Sequence, residues 1–394
     1  MQLSAESATT KSGDKEIFLE KKRSSRWSLS VPRDAALIGA IFVCLCAALV
    51  SCSAPKELLL GFSGSLSGTD YLLGVEGRNA AELFVAQTNS KGGIKGRKLK
   101  LIVEDVKSDP NAVVKVDEAL LDAGAIAIVG HFTSAAAESA LGFASAKRIA
   151  LVSPTATAES LSGKDDFLFR TVMSSKRDPE ILIDHMRSKG REKLLIIATA
   201  GNSAYTSTYI DYARANSVAA GLIVYENLAD ASAERLKSFG APDAVLIVAS
   251  SLDTGTIAQR LRLAEIRAPI YASGWAGNGD LIEYGGAAVE GSIFVHQIDA
   301  QLPSIGPFAA AYLAAYGSEP SFGAIETWDS MLFATKAMAL GGTDRESFYE
   351  AARSIRSFEG ISGPIRIDEF GDASRPLHIK EVRSGRIVVV GTAN

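Results

Sequence analysis

Ala125-Ile-Ala-Ile-Val-Gly-His-Phe-Thr-Ser134 is the stretch on which the fold turns. An unbroken apolar run, Ala125 to Val129, gives way to a short polar loop, and residues from Ser134 to Lys147 then have the make-up of a helix. A second apolar run, Ile149-Ala-Leu-Val152, follows at once. A strand with one wet face alternates apolar and polar residues. A run without polar residues is buried on both faces, as parallel strands covered by helices are. Strand, helix and strand in this order predict a βαβ unit.

The pattern extends in both directions. Upstream are a strand Leu58-Leu-Leu-Gly-Phe62, a loop from Ser63 to Asp70, and a helix from about Tyr71 to Thr88 closed by Asn89-Ser-Lys-Gly-Gly93. Glycine past a helix end takes the left-handed cap conformation that other residues resist. The strand Lys98 to Glu104 and a helix from Pro110 to Ala123 come next. Downstream, Lys193-Leu-Leu-Ile-Ile197, Leu222-Ile-Val-Tyr225, Ala244-Val-Leu-Ile-Val248 and Pro269-Ile-Tyr271 read as further strands. Only the end differs, where Ile365 to Ser374, Leu377 to Val382 and Ile387 to Val390 predict a short antiparallel meander. The series predicts an α/β protein, and two parallel sheets with a cleft between them suit its length better than one very wide sheet.

Open α/β sheets bind ligands at the carboxyl ends of their strands. The loops there are small and polar: Ser63 to Gly68, Gly130 to Ser134, Ser153-Pro-Thr-Ala-Thr157 and Ala200-Gly-Asn-Ser-Ala-Tyr205.

The amino-terminal segment gives an address. Lys21, Lys22, Arg23, Arg26 and Arg33 precede an uncharged run from Ala35 to Val50, short for a spanning helix, which needs about 20 residues. Leu49-Val-Ser-Cys52 resembles a lipobox, in which the cysteine becomes the first residue and its thiol carries the lipid. Residues 1–55 are therefore expected to be a lipoprotein signal and tether, with Cys52 the lipidation site. An uncleaved anchor is the alternative, and both readings place the rest of the chain outside the cytoplasm.

Cys44 and Cys46 fall in that leader, so Cys52 is the last of the 3 cysteines and no disulfide can brace the part beyond it. The remaining part, about 340 residues, must rest on its own cores, and at roughly 100 to 200 residues per domain it predicts two. The net charge of −4 is dispersed, and no basic stripe points to nucleic acid.

Several stretches, in order, now carry a specific resemblance: Gly61-Phe-Ser-Gly-Ser-Leu-Ser-Gly68, Asn89 to Gly96, Glu104-Asp-Val-Lys-Ser-Asp-Pro110, Val129 to Ser134, Val152 to Thr157, Gly285 to Gly291, and Phe358 to Pro364 running into Asp368-Glu-Phe-Gly-Asp372. The chain resembles the type I periplasmic binding proteins of the leucine/isoleucine/valine family, the solute receptors of ABC importers. The resemblance implies two Rossmann-like lobes joined by three crossovers and closing on a ligand. Mapped here, lobe one is 56–176 plus 300–357 and lobe two is 177–299 plus 358–394. It further implies an ABC permease as partner, a small-molecule ligand, and neither cofactor nor catalysis.

Ser134 stands where a strand becomes a helix, so its hydroxyl and the first free N–H groups make an anion site, with plain helix capping as the alternative. The resemblance assigns that place to the α-carboxylate of an amino acid, helped by Thr157, while the carbonyl of Thr155 takes the ammonium. It also places Tyr205 against the ligand and Leu73 in the pocket wall. The departures bear on the substrate. Where relatives carry an acid to neutralise the ammonium, this chain has Ser273-Gly-Trp-Ala-Gly-Asn-Gly279, with Gly274 or Trp275 at the matching place. A second family tyrosine has become Ser250 or Ser251. An aromatic face such as Trp275 attracts a cation and suits an apolar ligand part equally. Asp280, Glu283 and Glu326 are the acids that could stand in. The expected ligand is an amino acid or a related small carboxylate or amide.

The residues also bear on two other functions. Gly61-Phe-Ser-Gly-Ser65 approaches a nucleophile elbow but ends in serine, with no partnered histidine or acid indicated. His131, His185, His296 and His378 lack metal-ligand spacing, and only His131 lies on a cleft loop. An enzyme is not expected. A sensing module of the same fold, signalling to a regulator, remains the alternative to transport.

Overall fold

The computed structural model describes residues 57–68, 71–216 and 218–393. The leader, Cys52 and the tether to residue 55 lie outside the described residues. Among the described residues no helix is long and apolar enough to cross a membrane.

The first lobe opens with β1 (Leu58–Gly64), α1 (Tyr71–Ser90), β2 (Leu99–Asp105), α2 (Val113–Asp122), β3 (Ala127–Val129), α3 (Ser134–Lys147), β4 (Ala150–Ser153) and β5 (Leu168–Arg170). These strands form one sheet, ordered β2-β1-β3-β4-β5, with every pairing parallel. The second lobe contains α4 (Asp178–Ser188), β6 (Leu194–Thr199), α5 (Ser203–Ala215), β7 (Ala219–Tyr225), α6 (Ala233–Lys237), β8 (Ala244–Val248), α7 (Ser251–Leu263), β9 (Ile270–Ala272), α8 (Gly279–Gly285) and β10 (Ile293–His296). The chain then returns to the first lobe for α9 (Gly306–Tyr316), α10 (Phe322–Leu340) and α11 (Arg345–Ser354), and ends with β11 (Ser357–Gly360), β12 (Gly363–Ile367), β13 (Ala373–Ser374), β14 (Leu377–Arg383) and β15 (Arg386–Ala393). The second sheet is ordered β15-β14-β10-β9-β8-β6-β7.

The unbroken apolar runs have a simple cause. Along β3 and β4, Ala127, Val129, Ala150 and Val152 enter one core while Ile128 and Leu151 enter the core on the opposite face. In the second sheet Leu195, Ile197, Val245 and Ile247 face one way and Ile196, Ala198, Leu246 and Val248 the other. Alternation is present in the structure but hidden in the sequence, because both faces are covered.

The carboxy-terminal expectation needs two corrections. The region is not one meander: β11, β12 and β13 form a small sheet of their own, and β14 and β15 pair antiparallel along β10 as the edge of the second sheet. Nor does 358–394 belong wholly to the second lobe. Phe358, Ile365, Ile367 and Ala373 are buried in the core that holds Leu60, Phe62 and Phe333, so the last crossing falls after Ser374 rather than at 357. Smaller differences lie at helix starts. The helix expected from Pro110 begins at Val113, since the Asp109 carboxylate accepts from the Asn111 N–H and holds a turn there.

Local geometry brings the first lobe's loops together at one end. Gly74 lets α1 lie on the β1 loop, for a Cβ there would sit 1.9 Å from the Ser65 carbonyl oxygen. Leu66 N–H and the Ser67 hydroxyl both donate to Asp105, at 2.8 and 2.7 Å, which ties that loop to the end of β2.

Candidate functional site

A cavity of about 600 Å³ lies where loops of both lobes meet. Its first wall is the turn from β3 into α3. Thr133, in extended conformation, caps the helix by accepting from the Ala136 N–H, so Ser134 is the first helical residue and not the cap. Ser134 is buried, and its oxygen accepts from the Ala158 N–H at 3.0 Å. That leaves its own proton for an acceptor in the cavity. The next free amide, Ala135 N–H, donates to Asn202 Oδ1 of the second lobe at 3.1 Å.

The loop after β4 supplies the second wall. The Thr155 hydroxyl donates to the Phe132 carbonyl at 2.5 Å, so toward a ligand it can only accept. The Thr157 carbonyl is taken by Ser175, whose N–H and hydroxyl donate to it at 2.7 and 3.0 Å, while the Thr157 side chain lines the cavity. The loop is held from behind by Arg170, fully buried, which donates to the Ala158 carbonyl at 3.0 Å and to Asp372 at 2.6 and 2.8 Å.

The second lobe provides an aromatic side with an acid behind it. Tyr205 meets Trp275 edge-on, ring centres 6.1 Å apart, and its hydroxyl lies 2.9 Å from that of Tyr209. Tyr209 donates to Asp178 at 3.0 Å, which makes Tyr205 the donor to Tyr209. Burial raises the pKa of Tyr205, keeping it protonated, and pushes the Asp178 carboxyl up to about 7 against the Tyr209 hydrogen bond.

Residues from the crossovers complete the site. His296 Nδ1 accepts from the Ile298 N–H at 3.0 Å, and burial holds its pKa well below the ordinary value. The ring is therefore neutral with its proton on Nε2, a hydrogen-bond donor. Gln297 accepts from the Met173 N–H at 2.8 Å and donates to Glu326 at 2.9 Å. Burial pushes Glu326 up to about 8, opposed by the Arg375 guanidinium and the Gln297 amide. The Ser134 proton thus lies at the positive end of α3, and two carboxyl groups poised near neutrality stand elsewhere in the lining.

Of the residues singled out from sequence, Ser134, Thr155, Thr157, Tyr205, Trp275 and Leu73 all line this cavity. Ser251 does not; it lines an adjoining one. Among the acids, Glu326 is in the cavity lining, Glu283 is exposed, and Asp280 is absent from that lining. Asp178, Asn202, His296 and Gln297 were missed. Asn202 lay inside a loop already marked as polar, but nothing local distinguished it. The loop Ser63 to Gly68 is not part of the lining, and His131, expected on a cleft loop, has a fully buried ring.

His131 nevertheless has partners that the sequence did not indicate. Its Nδ1 lies 3.2 Å from the Ser63 hydroxyl and its Nε2 3.0 Å from Asp117, an arrangement that has the composition of a catalytic triad. All three side chains are fully buried, so no substrate reaches the hydroxyl, and the group acts as a polar strut between β1, α2 and the loop after β3.

A family model described as "Periplasmic binding protein" matches residues 57–386. The Leu/Ile/Val-binding protein of Escherichia coli K12 is 23% identical over 345 residues, covering 84% of this chain and 91% of the relative. Among solved structures, the branched-chain amino acid transporter substrate binding protein LivJ from Streptococcus pneumoniae, in complex with isoleucine, superposes with a TM-score of 0.77 at 22% identity, over 86% of this chain and 99% of that one. A solute binding protein of an R. palustris ABC transporter in complex with benzoate gives 0.74 at 20% identity, over 85% and 96%.

Proposed function

The chain belongs to the periplasmic binding protein family, whose members bind solutes rather than catalyse reactions, and from that premise we propose that it is the extracytoplasmic receptor of an ABC importer. Its ligand is an amino acid or a related small carboxylate or amide, held between the lobes with its carboxylate at the start of α3. One observation carries this reading. The Ser134 proton, the Thr157 hydroxyl and the first turn of a 14-residue helix converge on one cavity whose far side is Trp275 and Tyr205. Relatives whose structures hold isoleucine and benzoate lend support, for both ligands are small carboxylates. The basic leader and Cys52 support a lipid anchor that keeps the receptor near its permease.

A thermal-shift screen of the full chain in detergent against amino acids, amides and aromatic acids tests the reading. A ligand at about 100 times its Kd adds roughly 2.7 kcal/mol of stability. Thr157→Val should abolish most of the shift given by carboxylates. It is a cleaner probe than Ser134→Ala, which also strands the buried Ala158 N–H. If no carboxylate shifts the transition, the reading is wrong. Mass spectrometry of Cys52 tests the anchor separately: an unmodified thiol rules it out.

A further inference from the structure

A second cavity of about 530 Å³ adjoins the first, and Leu73, Trp275 and Phe322 are walls of both. The residues common to the two linings mark the partition. Leu73 lies against Gly323, where a Cβ would approach its Cδ1 to 2.4 Å, so the missing side chain at 323 gives Leu73 its place. The second chamber spans the same two lobes. Tyr71 comes from the first turn of α1, while Leu252 and Tyr284 come from α7 and α8. These three are large hydrophobic side chains, 48%, 41% and 43% exposed. Leu72 adds a further apolar side chain, and the polar groups are Glu76, Ser250, Ser251 and Asn278. Ser250 already caps α7 by accepting from the Asp253 N–H at 3.2 Å, so Ser251 is not needed for that task. Asn278 accepts from the Asp280 N–H at 3.0 Å and keeps its amide protons as donors. Glu76 accepts from the Ser321 hydroxyl, and burial pushes its carboxyl up to about 7, which softens its charge near neutrality.

We infer that this chamber is a subsite for the ligand's tail, and that the ligand class is an elongated carboxylic acid with an uncharged aryl or acyl chain. The carboxylate sits at Ser134, and the chain passes between Leu73, Trp275 and Phe322 to end beside Glu76, Ser251 and Asn278. The inference rests on the carboxylate reading proposed above. A ligand confined to the first cavity leaves Tyr71, Leu252 and Tyr284 of the second without contact.

Calorimetric titration of the full chain in detergent with phenylacetate, 3-phenylpropionate, 5-phenylpentanoate and 7-phenylheptanoate tests it. Affinity should rise by about fourfold for each methylene that enters the chamber, the equivalent of ~0.8 kcal/mol per buried CH2. Ser251→Tyr fills the chamber and should flatten the series while leaving phenylacetate within about twofold, a smaller change than a single buried methylene gives. Should that variant fail to fold, Leu252→Asp, at an exposed position on the rim, should flatten the series in the same way. A flat series in the wild-type chain, or an equal slope in the variants, overturns the tail subsite. If phenylacetate binds and Thr157→Val abolishes it while the series is flat, only the tail subsite falls. If no member binds, or Thr157→Val changes nothing, the carboxylate site falls as well.

Discussion

The Oδ1 atom of Asn202 accepts a hydrogen bond of 3.1 Å from the Ala135 N–H, joining the second lobe to the first turn of α3 in the first. The amide oxygen thus occupies part of the helix end that a ligand carboxylate would seek. A ligand must share that end with Asn202 or displace it. The contact is a direct hydrogen bond across the cleft, present only when the two lobes lie this close.

Asn202→Asp should be more damaging than Asn202→Ala. The alanine variant loses one neutral hydrogen bond across the cleft, worth about 0.5 to 1.5 kcal/mol, and should weaken carboxylate binding by roughly twofold to tenfold. The aspartate variant places a negative charge at the same helix end, where the dipole holds it, and repels an incoming carboxylate. Titration of both variants checks the order. Wild-type affinity in Asn202→Asp would mean that the carboxylate binds elsewhere.

Much of the fold was legible because its strands are short apolar runs between glycine-bearing loops, and those loops mark the carboxyl ends where ligands bind. Ser134, Thr155 and Thr157 follow from that rule, aided by the family resemblance. What escaped depends on contacts far apart in the chain. β5, with 3 residues, and β10, with 4, are too short to declare themselves. Gln297 enters the site only because a crossover and α10 meet behind the cavity, where it donates to Glu326. Asp178 looks like an ordinary acid in the first turn of a helix until Tyr209 and burial are seen around it. Ser251 was placed beside the ligand, and the partition by Leu73, Trp275 and Phe322 puts it in the next chamber.

Asp372→Ala should destabilise the fold by about 3 to 5 kcal/mol, the cost of a buried charge left without its partner. Arg170 is fully buried and directs Nε and Nη2 to Asp372, and Gly163 N–H donates to the same carboxylate at 2.7 Å. Because Arg170 also holds the Ala156 and Ala158 carbonyls, the loop bearing Thr155 and Thr157 should loosen, and ligand affinity should fall with stability. Urea unfolding checks the first effect. A loss below about 1 kcal/mol, the level of an exposed pair, would show that solvent replaces the carboxylate.

Trp275→Ala should weaken an apolar or aromatic ligand by at least about tenfold, through lost wall area and the lost edge contact with Tyr205, worth about 0.5 to 1.5 kcal/mol. Trp275→Phe keeps a ring and should restore most of the affinity. Equal losses in the two variants would argue that the indole N–H, not the aromatic face, is what the ligand needs.

The direction of the pH dependence should tell an amino acid from a plain carboxylic acid. Glu326 has an ordinary value of 4.5 and is pushed to about 8, and Asp178 moves from 3.8 to about 7. In each window the folded chain holds a proton that the unfolded chain has released. Stability of the empty receptor therefore falls as pH rises from about 4 to 8, and these two groups add no further loss above that. Facing Glu326 are Gln297, Arg375, Asp329 and Lys380, and Lys380 is itself lowered to about 8, which returns stability only at higher pH. A ligand ammonium favours the charged carboxylates, so leucine should bind more tightly as pH rises from 6 to 8.5, by up to about tenfold per unit for one fully coupled proton. Phenylacetate brings no cation, meets growing negative charge, and should bind more weakly over the same range. Glu326→Gln should reduce both slopes, and its readout is the slope itself, not the affinity at one pH. Parallel slopes for the two ligands would mean that neither acid faces the position of the ammonium.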